Sequence, residues 1–231
     1  MNQLFYCPDI QDGFARLDEE ESRHLLVVLR RQAGDRLQLT DGKGFFYEAE
    51  IAETGKKSAL ARILERRPTP LPPPALHVAI APTKQIERFE WFLEKAVEIG
   101  VGTVTPLLCR RSERRQIRHD RLEKILLSAM KQSLRATLPQ LRPLTEFDAL
   151  VQNAAEATRC IAWCDDRQNY PHLRELLRPD TPAIVLIGPE GDFMPEEVSL
   201  ARAHGFAPVS LGPARLRTET AGVFAAAMCA G

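Results

Sequence analysis

A glycine-rich turn follows an apolar run near the end of the sequence. The run AIVLI at 183–187 leads into GPEG at 188–191, and Pro195 follows at the start of a predicted helix. Glycine lets a main chain approach a ligand closely and reach conformations closed to other residues. Proline is favoured at the first position of a helix. The segment therefore predicts a strand, a tight ligand-facing turn and a helix, with an ordinary strand–helix turn as the alternative.

Acidic residues beside this turn restrict what it can bind. Glu196 and Glu197 fall in the first turn of the predicted helix, where carboxylates disfavour a bound phosphate. Neither the phosphate-binding loop G-x-x-x-x-G-K-[ST] nor the dinucleotide motif G-x-G-x-x-G occurs in the sequence. We therefore expect a nucleoside-like ligand held by backbone groups, and this pattern disfavours a nucleotide-dependent enzyme.

A second loop whose residues could take part in ligand binding or catalysis precedes the last predicted helix. The strand expected to end at Leu211 is followed by an arginine-bearing loop, and Thr218 is the predicted N-cap of a helix over 218–230. That helix is apolar on all sides and rich in alanine and glycine, so we expect it to be buried. It is either a terminal core helix or a helix at a dimer interface.

The elements that must position these loops fall into two groups. Residues 1–70 predict short strands, hairpin turns at Asp41-Gly42 and Thr54-Gly55, and one helix at about 18–30, which together fit a small antiparallel barrel. The proline-rich stretch 66–74 predicts a stiff extended linker. Residues 75–231 alternate strands with helices, which predicts an α/β domain with a mostly parallel sheet and ligands at the carboxyl ends of its strands.

Charge is balanced overall but unevenly distributed. The chain of 231 residues has 31 basic and 31 acidic residues, which argues against indiscriminate coating of nucleic acid. Residues 110–135, however, hold nine Lys/Arg and three Asp/Glu. This distribution favours a selective polyanion binder with one basic face, and a solvated basic surface is the alternative.

Cysteine content and hydropathy bear on location and metal binding. The five cysteines are odd in number and scattered, which is typical of reduced thiols. A spacing that suggests a metal site occurs only at Cys160, Cys164 and His172. Because a second Cys/His pair is missing, we predict no metal site. With no signal-like start and no apolar run of about 20 residues, we expect a cytoplasmic protein without a membrane partner.

The two loops together resemble a known family. IGPEGDF at 187–193 and LGPARLRTETA at 211–221 are similar to segments of the 16S ribosomal RNA uridine-N3 methyltransferases, the RsmE-type branch of the SPOUT (trefoil-knot) superfamily. The resemblance covers nearly the whole chain. HLLVVLRRQAGD and DGKG resemble that family's N-terminal PUA-like barrel, and EKAVEIGV, RRSERR and KQSLR match the middle of its methyltransferase domain.

The resemblance implies a fold that local patterns cannot reveal, because true knots are nearly absent from proteins. It implies a PUA-like β-barrel RNA-binding domain over 1–70 and a SPOUT knotted methyltransferase domain over 75–231, acting as a homodimer. The knot would hold S-adenosylmethionine. The implied cofactor-binding residues are Leu186, Ile187, Gly188, Pro189, Glu190, Gly191, Leu211, Gly212, Leu216, Arg217, Thr218, Glu219 and Ala221.

The implied reaction methylates N3 of a uridine in the 16S rRNA of the small ribosomal subunit. Because N3 carries a proton, the reaction needs its removal, and Arg217 is expected to stabilise the resulting anion. Glu219 or Glu190 is the candidate base, and each can equally orient the backbone or pair with an arginine. Arg217 and Glu219 are thus the predicted catalytic residues. Asp192 and Ala214-Arg215 depart from the family's usual pattern.

The RNA-binding face is expected to be basic. Its predicted members are Arg30, Arg31, Arg110, Arg111, Arg114, Arg115, Gln132 and Arg135. Uridine N3 is inaccessible within a helix, so the target base must be unpaired or extruded. Two other hypotheses remain: a related knotted enzyme acting on tRNA or on a ribose hydroxyl, and a non-catalytic RNA-binding or ribosome-assembly protein.

Overall fold

The computed structural model describes residues 3–69, 76–164, 169–178 and 181–229. The chain forms two compact units. The first comprises Met1–Leu71 and Leu127–Leu138, and the second comprises Pro72–Leu126 and Pro139–Gly231. Most of the predicted linker lies outside the described residues, but its beginning is part of a strand, since Pro68 pairs with Phe45.

The first unit is built on a six-stranded sheet. Its elements are β1 (Leu4–Tyr6), β2 (Ile10–Gln11), β3 (Phe14–Leu17), α1 (Glu19–Arg23), β4 (Arg36–Thr40), β5 (Phe45–Thr54) and β6 (Ala59–Pro68). The strand order is β1-β4-β5-β6-β3-β2. All its neighbouring strands are antiparallel except the parallel pair β1 and β4. The predicted strands and both predicted hairpins are confirmed.

The helix predicted at about 18–30 is shorter and irregular. Asp18 caps α1 by accepting a hydrogen bond from the backbone N–H of Glu21 at 2.7 Å. A π-helical turn, His24–Val28, follows α1, and Arg30 then adopts a left-handed backbone with φ of 56°. Left-handed backbone cannot continue a right-handed helix, so the helix ends before Arg30.

Residues 127–138 are anchored to the β4–β5 turn of the first unit. The Thr40 hydroxyl donates to the carbonyl oxygen of Ala136 at 3.0 Å, and the Leu138 N–H donates to that of Gly42 at 2.8 Å. The Lys131 ammonium pairs with the buried Glu21 carboxylate. These contacts hold Gln132 and Arg135, which are distant in sequence from the β strands, in the first unit.

The second unit is an α/β structure around a parallel sheet. Its strands are β7 (Leu76–Ile80), β8 (Thr103–Leu108), β9 (Gln140–Leu141), β10 (Thr145–Glu146), β11 (Thr158–Ala162), β12 (Ala183–Ile187) and β13 (Ala207–Val209). The order is β10-β8-β7-β12-β11-β13, with β9 also pairing with β8. Every pairing among these strands in the described part of the chain is parallel. The predicted mostly parallel sheet is therefore confirmed.

The helices that follow these strands in the chain are α2 (Ile86–Ile99), α3 (His119–Gln132), α4 (Phe147–Asn153), α5 (Leu173–Leu176), α6 (Pro195–Ala203) and α7 (Thr218–Cys229). The part of α3 from Leu127 onward belongs to the first unit. As predicted, α2 stops at Gly100, which has φ of 108°. Among the described residues no helix is long and apolar enough to cross a bilayer.

The last helix packs on the rest of the second unit along part of its surface. Its small residues pack closely, since a Cβ at Gly222 would lie 2.7 Å from atoms of Ile80 and Phe92. Phe224, however, is 39% exposed, so this chain by itself covers α7 only in part. Thr218 is the first helical residue rather than the N-cap, because the Ala221 N–H bonds to the carbonyl oxygen of Arg217 at 2.8 Å.

Candidate active site

The two loops singled out in the sequence meet at the carboxyl end of β12. The buried Thr218 hydroxyl donates a hydrogen bond to the carbonyl oxygen of Gly188 at 3.1 Å. Gly188 follows the last residue of β12, and Thr218 begins α7. The turn after β12 and the loop before α7 are thus held together by a direct bond. The predicted strand end at Leu211 lies two residues too late, because β13 ends at Val209.

The turn after β12 is compact and depends on its glycine. A Cβ at Gly188 would lie 3.2 Å from the ring of Phe193, which is tighter than an ordinary contact. The Asp192 N–H closes the turn on the carbonyl oxygen of Pro189 at 2.9 Å. Residues 186–189 are buried, whereas Glu190 and Gly191 are exposed. The turn therefore offers backbone groups at the surface of a buried strand end.

Three carboxylates of the 190–197 segment accept hydrogen bonds from three different loops. Glu190 accepts from the Lys84 N–H at 2.9 Å, Asp192 from the Cys164 N–H at 3.1 Å, and Glu197 from the Arg110 N–H at 2.9 Å. Those amides follow β7, β11 and β8, respectively. These three carboxylates therefore connect the strand-exit loops, and Glu197 is one of the two acidic residues that argued against a phosphate site. In Glu190, a candidate base, one carboxylate oxygen accepts a backbone amide.

Asp192 has an unusual environment. Burial raises the pKa of its carboxyl, while the backbone N–H groups of Phe193 and Cys164 and the positive charges of Arg111 and Arg215 oppose that rise. Its backbone φ is 61°, in the left-handed region that non-glycine residues rarely adopt. A half-buried carboxylate thus occupies a strained position beside the turn.

Two arginines of the basic segment after β8 are bound to neighbouring loops. The Arg111 guanidinium donates to the carbonyl oxygen of Gly191 at 2.6 Å. Arg114 donates to the carbonyl oxygens of Thr83 at 3.0 Å and Lys84 at 2.6 Å. These side chains brace the turn after β12 and the loop after β7.

The predicted RNA-binding residues are divided between the two units. Arg110, Arg111, Arg114 and Arg115 belong to the second unit, and Arg110, Arg111 and Arg115 are exposed. Arg30, Arg31, Gln132 and Arg135 belong to the first unit. Their common role in binding RNA stays a prediction.

An open cleft of about 610 Å³ contains both predicted catalytic residues. It is lined by Glu87, Arg88, Trp91, Arg215, Leu216, Arg217, Glu219 and Thr220. Glu219 is 7% exposed, and its Oε1 lies 4.0 Å from Nε of Arg88. The cleft combines a buried carboxylate, several guanidinium groups and an aromatic ring, a set that can hold a planar, hydrogen-bonding substrate beside a charge-stabilising group.

Sequence analysis missed several contributors to this site. Arg88 and Trp91 lie on α2, where the helical pattern marked only the buried stripe. Thr83 is fully buried, and its hydroxyl donates to the carbonyl oxygen of Gln85 at 2.6 Å. The Cys164 amide also had no local signal, because its role depends on a partner 28 residues away.

Two of the three residues whose spacing suggested a metal, Cys160 and His172, lie in a strand and at a helix cap. Cys160 is fully buried in β11. The His172 ring accepts a hydrogen bond from the Arg174 N–H at 3.3 Å and caps α5. In the described part of the chain, no three His, Cys, Asp or Glu side chains form a group that could hold a metal ion.

Comparison with known proteins agrees with this arrangement. Residues 70–230 match the RNA methyltransferase domain family, and residues 17–64 match the RNA methyltransferase PUA domain family. The chain is 33% identical to the ribosomal RNA small subunit methyltransferase E of Synechocystis, over 95% of this chain and 74% of that protein.

Solved structures show the same fold. A crystal structure described as a probable rRNA-methyltransferase from Porphyromonas gingivalis has a TM-score of 0.90 and 46% identity, covering 97% of this chain and 95% of that one. The ribosomal RNA small subunit methyltransferase E of Neisseria gonorrhoeae, bound to S-adenosyl methionine, has a TM-score of 0.87 and 29% identity, covering 98% and 96%. The expected PUA-type and methyltransferase domains are confirmed, and this chain belongs to the ribosomal RNA small subunit methyltransferase E family.

Proposed function

We propose that this chain transfers a methyl group from S-adenosylmethionine to N3 of a uridine in 16S rRNA of the small ribosomal subunit. The observation that supports this most directly is the hydrogen bond from Thr218 to Gly188, which joins the two loops that the family uses for its cofactor. Relatives of this chain are named ribosomal RNA small subunit methyltransferase E, and the structure of the Neisseria relative contains S-adenosyl methionine.

The residues around these loops fit a nucleoside-like cofactor. Leu211 and Leu216 are half-buried, so they can contact an adenine ring. Gly212 has φ of 118°, and a Cβ placed there would meet nothing within 4 Å. The loop therefore has open space beside it together with exposed backbone groups. These residues, with the turn 188–191, would hold the cofactor.

The bound cofactor supplies an electrophilic methyl group on a sulfonium. This chain must then orient the uracil and stabilise the negative charge that grows as the N3 proton leaves. Arg217 is exposed in the cleft and supplies a guanidinium donor for that charge. Glu219 lies beside Arg88, an arrangement that orients both side chains. We assign most of the rate enhancement to positioning, since a general base alone contributes about 10²–10⁴-fold.

RNA binding is proposed to use the basic residues of both units. The exposed Arg110 and Arg115 follow β8 near the turn after β12, and the exposed Arg30 and Arg31 supply basic groups on the first unit. Phosphate contacts of this kind set position and affinity, while recognition of the base belongs to the cleft. Action on ribosomal RNA implies a cytoplasmic protein.

We propose a homodimer and a knotted second unit, as the family resemblance implies. Trp91 on α2 and Phe224 on α7 are 43% and 39% exposed, although α2 and α7 pack on each other. Exposed apolar side chains that form one contiguous patch mark interaction sites, and we propose that these two belong to such a patch. Sedimentation of the wild type and of Phe224→Glu tests this: a dimer should become a monomer, and a monomeric wild type or an unchanged variant contradicts the proposed interface.

A methyl-transfer assay tests the function. Tritiated S-adenosylmethionine is incubated with the protein and small ribosomal subunits, naked rRNA or tRNA, and labelled RNA is digested and analysed by mass spectrometry. We expect label on a 3-methyluridine of small-subunit rRNA. Label on tRNA or on a ribose would identify a different knotted methyltransferase. No cofactor binding in calorimetry would indicate a non-catalytic RNA-binding protein.

A further inference from the structure

The Asp192 side chain connects two strand-exit loops. Its Oδ2 accepts a hydrogen bond from the Cys164 N–H at 3.1 Å, and its Oδ1 accepts one from the Phe193 N–H at 2.8 Å. Cys164 follows β11, and Asp192 ends the turn after β12. These strands are adjacent, with Ala162 paired to Ile187 at their ends. The carboxylate therefore spans the gap between two loops that leave the sheet side by side.

The backbone at this position would suit glycine best. Asp192 has φ of 61°, in a left-handed region that most non-glycine residues avoid but that aspartate can adopt because its side chain hydrogen-bonds locally, here with the Phe193 N–H. Glycine would adopt the same conformation without any such bond. The hydrogen bond from the Cys164 N–H to Asp192 is an interaction with the neighbouring loop that glycine cannot make.

Arg111 holds the same turn from the opposite side. It donates to the carbonyl oxygen of Gly191 at 2.6 Å, one residue before Asp192. Gly191 is thus bound to the loop after β8, and Asp192 to the loop after β11. The turn that carries Gly188 is thus linked to the loop after the adjacent strand β11 and to the loop after β8, which lies two strands away on the other side of β12. Each link comes from a charged side chain, which makes it stronger than a neutral hydrogen bond.

We propose that Asp192 is a positioning residue for the methyl donor, which acts by holding the loop after β11 at Cys164 against the turn 188–192. Cys164 and the turn 188–192 would then form one preorganised wall of the cofactor pocket. This inference rests on the proposed function, since it assumes that the cofactor binds at this turn. An ionised carboxylate suits the role because it can accept from both N–H groups, whereas an asparagine amide would present its NH₂ to one of them.

Two substitutions separate positioning from folding. Asp192→Gly removes both hydrogen bonds and the backbone strain together, so we expect its thermal midpoint to stay within a few degrees of the wild type. Asp192→Asn keeps the size of the side chain and loses one acceptor. Glu196→Gln, an exposed acidic residue on α6, is the matched control for loss of one negative charge.

The measurements are calorimetric titration with S-adenosylmethionine, steady-state kinetics and amide hydrogen exchange at Cys164. For Asp192→Gly we expect about tenfold weaker cofactor binding, a KM for the cofactor that rises more than kcat falls, and about tenfold faster exchange at Cys164, as loss of one charged hydrogen bond implies. Asp192→Asn should show smaller changes in the same direction, and Glu196→Gln should match the wild type.

Cofactor affinity equal to the wild type in Asp192→Gly would overturn the proposal, as would equal losses in Glu196→Gln. If Asp192→Gly does not fold, the comparison of Asp192→Asn with Glu196→Gln decides by the same criteria. The wild-type titration separates this inference from the proposed function: a wild type that does not bind the cofactor refutes the function, whereas a binding wild type with an unaffected Asp192→Gly refutes only the role of Asp192.

Discussion

The Thr218 hydroxyl donates to the carbonyl oxygen of Gly188, 30 residues earlier in the chain, over 3.1 Å. A threonine at a helix start commonly caps its own helix, but this hydroxyl bonds to a different loop. The first residue of α7 is consequently tied to the end of β12. Arg217 and Glu219 flank Thr218 in sequence and line the cleft. We therefore expect the hydrogen bond of Thr218 to help position both.

Thr218→Val should weaken cofactor binding. The substitution keeps the branched shape but removes the donor, leaving the buried Gly188 carbonyl without this partner, at a cost of about 1 kcal/mol in unfolding free energy. We expect the dissociation constant for S-adenosylmethionine to rise roughly fivefold to tenfold in calorimetry. Thr218→Ser retains the hydroxyl and is the control. Equal affinities for the valine and serine variants would contradict this role.

Arg217→Ala should reduce the rate of methyl transfer. A preorganised donor to a developing anion contributes about 10²–10³ in kcat, and Arg217 supplies such a donor in the cleft. Single-turnover transfer to small subunits measures the effect. Arg217→Lys keeps the charge but not the planar fork, so it should recover part of the rate. A normal rate in Arg217→Ala would remove the residue from catalysis.

Arg115→Ala should lower the salt dependence of RNA binding. Arg115 is exposed, and removing one phosphate-binding cation reduces the slope of log affinity against log salt by about one. Arg115 is a cleaner probe than Arg111 or Arg114, because those two brace neighbouring loops. Filter binding between low and physiological salt gives the slope. Lys124→Ala, on the exposed side of α3, controls for general charge, and an unchanged slope in Arg115→Ala excludes a phosphate contact at this residue.

Glu156→Gln should remove a pH-dependent contribution to stability. Its carboxylate lies 2.6 Å from Nδ1 of buried His77, and this hydrogen bond lowers the pKa of Glu156 to about 2, although burial opposes the shift. A depressed carboxyl pKa stabilises the fold above the unfolded value of about 4.3, and the contribution disappears as pH falls through about 2.

Denaturant unfolding from pH 7 to pH 2 provides the measurement for Glu156. We expect the variant to be less stable by roughly 2 kcal/mol at neutral pH, with the difference shrinking as the pH approaches 2. Glu94→Gln, exposed on α2, should follow the wild-type curve. A difference that persists unchanged in acid would mean that packing, rather than charge, explains the loss.

Local sequence patterns determined the elements and the composition of the site. The apolar run at 183–187 is β12 with the predicted end, Gly100 stops α2, and the paired motifs at 187–193 and 211–221 identified the family. These features follow from side-chain periodicity, backbone preference and ordered short motifs, all of which act over a few residues.

Tertiary structure alone decided which elements meet. Nothing local indicates that β12 lies between β7 and β11, that residues 127–138 join the first unit, or that Asp192 bonds to Cys164. Such contacts connect residues far apart in the chain, and their partners are selected by burial and hydrogen-bond satisfaction in the folded state. The residues of the site can therefore be identified from the sequence. Which residues they contact is decided only when the sheet has formed.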